Sequence, residues 1–273
     1  MRIFHPTDLH HGSSTAFLHA LRLAVDTRSR LTIMHVATDS EAGGWSELPG
    51  VRSTLARWGM VKDAADMEGL ERLGVSVRKL VVEGRDPAGA CVEHLEEHPA
   101  DLVVLATHQA EGLLRWVKRQ VAIPLARAAG APALFVPYDR PGFLDRASGR
   151  WKLRRMLVPV AMEPHPRAAL PVSALQLAEG IITLLHVGDA TTAPYVEVPE
   201  IPGWKVEQIT RAGDVVGTIT HLAEATGAEL LVMTTKGREG FLDVLRGTDT
   251  EKVVRAVACP VLAVPAQGRP ISA

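Results

Sequence analysis

Residues 100–137 read ADLVVLATHQAEGLLRWVKRQVAIPLARAAGAPALFVP, and residues 228–265 read AELLVMTTKGREGFLDVLRGTDTEKVVRAVACPVLAVP. Laid over each other at an offset of 128, the two stretches align without a gap and share 13 of 38 residues. The match extends outward. RIFHPTD at 2–8 sits over RMLVPVA at 155–161, HALRLA at 19–24 over SALQLA at 173–178, and LTIMHV at 31–36 over ITLLHV at 182–187. The chain is an internal duplication. Its 273 residues suit that reading, since a domain takes about 100–200. The repeats are assigned to 1–138 and 151–266. The stretch 139–150, rich in turn formers and charge, is the expected linker.

Within each repeat, short apolar runs alternate with longer helical patterns. In the first repeat the runs are 3–6, 31–37, 75–82, 102–107 and 133–136. They are rich in β-branched residues and only partly alternating, which predicts strands covered on both faces. Between them, Phe17, Leu21 and Ala24 recur at helical spacing, and Pro87 stands in a first turn behind Asp86, an expected N-cap. Strands joined by crossover helices form parallel sheets with right-handed connections. The expected fold is therefore α/β: two tandem doubly wound domains, each with a five-stranded parallel sheet, related by a pseudo-two-fold. Ligands of such sheets sit at the carboxyl ends of the strands, near the switch in strand order. The segment 41–60, with Trp45, Pro49 and Trp58, replaces a short connection and reads as a lid or partner surface. Met60 and Met67 suggest helix packing.

Composition narrows the function classes. Lys and Arg total 30 against 31 Asp and Glu, a net charge of −1, without the basic excess of a general nucleic-acid binder. Two cysteines, Cys91 and Cys259, provide neither a disulfide framework nor a C-x-x-C pair, which fits a reduced cytoplasmic setting. No export signal or membrane span is read from the chain. Gly-Lys, G-x-G-x-x-G and G-x-S-x-G are all missing, so no hydrolytic apparatus is visible.

At the strand ends the chain resembles the universal stress protein family. The residues that carry the likeness are HPTD and VPVA after the first strands, MHV and LHV in the second, and CPVLAV at 259–264, with the best local match over 233–265. The resemblance covers both repeats and implies a flavodoxin-like or adenine-nucleotide-hydrolase-like fold. It also implies a small-ligand-binding regulatory role in the stress response. Some members bind ATP through a loop G-x2-G-x9-G-[ST], with an Asp after strand one contacting the adenosine; others lack the loop and bind no nucleotide. Glycines let backbone approach phosphate, and the following helix presents its N–H groups. In the second repeat Gly237 and Gly240 match the first two glycines and Gly247-Thr248 the last pair, but only six residues separate Gly240 from Gly247, and Ala161 stands where the Asp belongs. The first repeat is reversed. Asp8 is present, while Gln109 and Arg119-Gln120 replace glycines of the loop, leaving Gly112. Both nucleotide sites are degenerate. The cofactor expectation is weak binding of ATP or another adenine nucleotide by repeat 2, with slow hydrolysis as an alternative activity.

A third alternative is a zinc-binding module in repeat 1. His5, His35 and His108 close strands one, two and four, Glu83 closes strand three, and Asp8, His10 and His11 follow strand one. Imidazoles with a carboxylate are preferred zinc ligands. The duplicate puts Val158, His186 and Lys236 at the places of His5, His35 and His108. Side chains alternate along a strand, so a shift of one residue would turn any of these ligands into the core. The expected partner is a small molecule, with neither nucleic acid nor membrane. The repeats are expected to form a pseudo-dimer within the chain, with a homodimer of whole chains as a further option.

Overall fold

The computed structural model describes residues 1–37, 49–107, 122–138, 140–161, 179–197, 200–235 and 249–266. The chain divides into two compact units. The first holds 1–129 and 136–150, the second 130–135 and 151–270.

In the first unit, β1 (Arg2–Pro6), β2 (Arg30–Ala37), β3 (Ser76–Glu83) and β4 (Leu102–Thr107) lie in the order β3-β2-β1-β4. All the pairings are parallel: His5 lies beside Ile33, and His35 beside Val81. Helix α1 (Ser14–Asp26) covers the sheet with the predicted stripe, since Phe17, Leu21 and Ala24 are fully buried. Two short helices follow, α2 (Val51–Arg57) and α3 (Met67–Leu73). Met60 and Met67 are therefore not on one helix. Gly59 at φ +70 breaks the chain after α2, and Asp66 starts α3 by accepting from the Gly69 amide at 2.9 Å. Met67 is left half exposed. The described end of the segment read as a lid is built into the unit. Leu55 and Trp58 are buried, and the Trp58 indole N–H donates to the Arg146 carbonyl at 3.2 Å. Residues 38–48 lie outside the described residues.

Helix α4 (Pro87–Glu97) begins behind Asp86, whose carboxylate accepts from Ala88 at 3.1 Å. Helix α5 (Ala122–Ala129) leads to β5 (Ala133–Pro137). Residues after β5 pack on the first unit: Phe143 and Leu144 are buried, and the Phe143 ring stands edge-on to His19 at 4.6 Å.

The second unit repeats the plan with β6 (Arg155–Val160), β7 (Gly180–Val187), β8 (Trp204–Arg211), α6 (Val215–Ala225), β9 (Leu230–Thr235), α7 (Asp249–Ala256) and β10 (Val261–Pro265). Its order is β10-β9-β6-β7-β8, all parallel. Residues 133–135 of β5 are counted with this unit, where they run antiparallel to β10 with Leu134 opposite Leu262. In both units strand order turns at the first strand of the repeat, which has its second strand on one side and its fourth on the other.

One expectation fails at the outer strands. β3 and β8 are edge strands, so the residues of β3 are exposed or half-buried throughout rather than covered on both faces. No helix among the described residues is long and apolar enough to cross a membrane.

Candidate functional site at the carboxyl ends of the strands

In the first unit the chain leaves β1 through a loop that is knitted to itself and to β2. The Thr7 amide donates to Met34 O at 2.9 Å, and the His35 ring donates from Nδ1 to Thr7 O at 3.0 Å. Thr7 Oγ1 accepts from the Leu9 amide at 3.1 Å, and Asp8 Oδ1 from the His10 amide at 3.0 Å. Together these turn the chain through Leu9, which sits at φ +62. Ser13 Oγ then donates back to His10 O at 2.8 Å. A 3-10 turn, His11–Ser13, feeds directly into α1. At Gly12 an added Cβ would lie 2.0 Å from the Tyr138 ring, so only glycine lets that ring close over the start of the helix. Sequence reasoning missed this closure and the hydrogen-bonded turn running from Thr7 to Ser13, because each joins residues with no pattern of their own.

The histidines take different places from those expected of zinc ligands. His5 is wholly buried, its Nδ1 donating to Val104 O at 2.9 Å and its ring tilted against Phe17. Burial pushes it down to about 4, outweighing the Val104 bond and the Asp8 charge, so it is neutral at neutral pH. His35 has a twin that bonds the same way: His186 Nδ1 meets Val160 O at 3.3 Å. The shared histidine is a clip that fastens the second strand to the backbone at the carboxyl end of the first. His10 and His11 are exposed. Glu83 lies exposed at the end of the edge strand β3. His108 lies outside the described residues. Among the described residues no three of His, Cys, Asp and Glu gather as a metal would need, and His5, His35 and Asp8 are no exception. The described residues give the zinc expectation no support: two of its three strand histidines, His5 and His35, are tied to carbonyls in the core.

Asp8 remains half-buried at the mouth of the strand ends, with one carboxylate oxygen in the turn to His10. In the second unit the corresponding Ala161 is exposed at the end of β6. The neighbouring strand β9 ends in Thr234 and Thr235, whose buried hydroxyls have no partner among the described residues. Gly237, Gly240, Gly247 and Thr248 follow in the connection to α7 and lie outside the described residues. α7 opens with Asp249 and Glu251; Glu251 is buried and paired with Arg255, and Asp249 lies 3.7 Å from Lys252. Both cysteines are poor nucleophiles, since burial raises Cys91 to about 12 and Cys259 to about 11.

Comparison with known proteins agrees with the architecture. A universal stress protein from Archaeoglobus fulgidus superposes with a TM-score of 0.61 at 15% identity, covering 97% of this chain and 96% of that one. A functionally unknown protein from Pseudomonas aeruginosa PAO1 gives 0.58 at 14% identity, with 97% and 92% covered. A putative universal stress protein from Pseudomonas aeruginosa UCBPP-PA14 gives 0.57 at 16%, with the same coverage. At these identities the likeness is one of fold. No curated protein matches the sequence closely enough to count as a relative. The family model for universal stress proteins matches residues 1–137 and 195–265, the greater part of the chain and a segment of each repeat. The chain belongs to the universal stress protein family.

Proposed function

We propose that the chain is a ligand-binding regulatory module of the stress response whose second repeat binds adenine nucleotide weakly. The observation that carries this is the position of the glycine loop. Gly237, Gly240 and Gly247-Thr248 lie between the end of β9, beside β6 where the strand order turns, and the start of α7 at Asp249. Phosphate is favoured at such a junction by backbone N–H groups and by the helix N-terminus. Two features hold the affinity down. Ala161 supplies no carboxylate to the sugar or base, a hydrogen bond worth about 1–3 kcal/mol in a desolvated site. Asp249, exposed in the first turn of α7, adds negative charge at the helix start to which the glycine connection leads. Repeat 1 keeps Asp8 but has lost the loop, so its crevice suits a ligand without a phosphate chain.

Nucleotide titration of the full chain tests this. ATP should bind with weak, micromolar or poorer affinity, and Gly240→Asp should abolish it while Asp8→Ala leaves it unchanged. Submicromolar binding that survives Gly240→Asp and disappears with Asp8→Ala would assign the site to the other repeat.

A further inference from the structure

Helix α4 ends on two imidazoles. The His94 ring lies over Phe4 of β1 with 5.5 Å between centroids, and the His98 ring stacks on His94 at 4.6 Å with 14° between planes. The backbone joins the same pair, since the His98 amide donates to His94 O at 2.8 Å and His98 is the C-cap. A row crosses the sheet at this level, Phe4 beside Thr32 and Thr32 beside Arg78. The duplicate builds the same place from other chemistry. Its row is Leu157, Thr183 and Glu207, and helix α6 brings Leu222 and Thr226 where α4 has His94 and His98. There too an amide closes the last turn, Thr226 N to Leu222 O at 2.9 Å. A second bond locks it: the Thr226 hydroxyl donates to the same carbonyl at 2.8 Å. In the first repeat a stack of rings replaces that hydroxyl bond. A threonine hydroxyl does not titrate, whereas an imidazole does so close to neutral pH.

Three groups of the first repeat can carry positive charge here, His94, His98 and Arg78, against Glu97, whose carboxylate is 3.9 Å from His98 Nδ1. The neighbouring elements bring no further anion to the rings. On the same sheet face Arg2 and Arg30 stand one step back in β1 and β2, and Asp101 is already bonded to Arg2. Helix α5 packs on α4 and holds one charged residue, Arg127, whose side chain lies outside the described residues. Burial above all, then His98 and Arg78, lower the His94 imidazole below its usual range, with Glu97 opposing. The closed turn therefore keeps His94 neutral, and an opened turn, hydrated and away from those neighbours, takes up the proton.

We propose that the last turn of α4 is an acid-sensitive cap: neutral rings hold it closed by stacking, and protonation of both opens it and uncovers Phe4. The proton is the signal. Like charges at stacking distance repel, and Arg78 adds to the repulsion. Acid drives the turn open because the open form binds protons more tightly. Phe4 is buried under the closed ring, so opening bares aromatic surface on β1. The second repeat has no imidazole at the corresponding places, so its own cap is a control within the same molecule.

Hydrogen exchange of the full chain, read amide by amide from about pH 7.5 to 4.5 and corrected for the intrinsic rate, tests this. Protection of the His98 amide should fall at least about tenfold over that interval, whereas that of the Thr226 amide should change less than about twofold. His98→Thr installs the cap of the duplicate and should make the amide at 98 behave like the one at 226. Arg78→Gln should raise the pH at which the His94 ring titrates by NMR, and it should reduce the loss of protection at 98. Circular dichroism at each pH separates local opening from acid unfolding. Constant protection at 98, an equal loss at 98 and 226, or a loss that persists in full in His98→Thr would each overturn the proposal.

Discussion

His5 and His19 are neutral because the core has taken their water away. His19 donates from Nδ1 to Thr15 O at 2.7 Å, and burial lowers both side chains from 6.5 to about 4. The unfolded chain binds these protons first as the pH falls. Their contribution to stability is therefore complete above pH 6.5, shrinks as the pH drops toward 4, and stays lost below it. Each should account for about 2–3 kcal/mol between pH 7.5 and 4.5. Carboxylates titrate in the same range, so the informative quantity is a difference between variants. His5→Val installs the residue that the duplicate carries at Val158, and urea midpoints should then fall less steeply with acid than in the parent. An unchanged slope would mean that His5 is hydrated in the native state. The duplicate made this residue partly legible, since an apolar twin points to a core position. The choice of Val104 O as its partner was not legible, because β4 lies 99 residues further on and only folding sets it beside β1.

At the scale of the element, local chemistry read well where it was self-contained. Asp86 before Pro87 caps α4, and the 17-21-24 stripe buries α1, because cap and stripe are properties of the segment alone. The segment around 58–66 was not legible as a break. Gly59 at positive φ and the Asp66 cap override the apolar spacing of Met60 and Met67. Strand edges were misread for a related reason, since covering is set by neighbours in the sheet and not by the composition of the strand. Glycine gives a test of element packing. At the start of β7, an added Cβ on Gly180 would come within 2.0 Å of the Arg154 carbonyl oxygen, which already accepts from Ile181 at 2.8 Å. Backbone cannot swing aside as a side chain can. Gly180→Ala should cost about 1–3 kcal/mol by forcing β6 and β7 apart. Gly130→Ala provides the contrast: its Cβ would meet open space, and only φ +55 opposes it, at about 1 kcal/mol. Thermal melts of the two variants should rank Gly180→Ala as the less stable; the reverse order would show that β7 can shift at no cost.

At the scale of the whole molecule, duplication made the fold readable and divergence between the copies makes the function testable. Each repeat alone suggests short strands and helices, but 13 identities over 38 residues fix where those elements recur. The site was less legible, because its parts are split between repeats: the carboxylate Asp8 survives in one and the glycines Gly237 and Gly240 in the other. Each copy reads as degenerate against the family loop, and its twin shows which part the other has kept. If the second repeat is weak for want of a carboxylate, returning one should strengthen it. Ala161 is exposed at the end of β6, so among the described residues a longer polar side chain there displaces no packed neighbour. Ala161→Asp should tighten ATP binding by the full chain about tenfold, the equivalent of one hydrogen bond worth about 1.4 kcal/mol. The gain must depend on the loop. In a Gly240→Asp background the same substitution should return nothing, since a carboxylate without a phosphate cradle only adds repulsion. Calorimetric titration of the parent, the single variants and the double variant closes that cycle. Equal affinity for parent and Ala161→Asp would remove the missing carboxylate as the cause of weak binding and leave the shortened spacing between Gly240 and Gly247 to account for it.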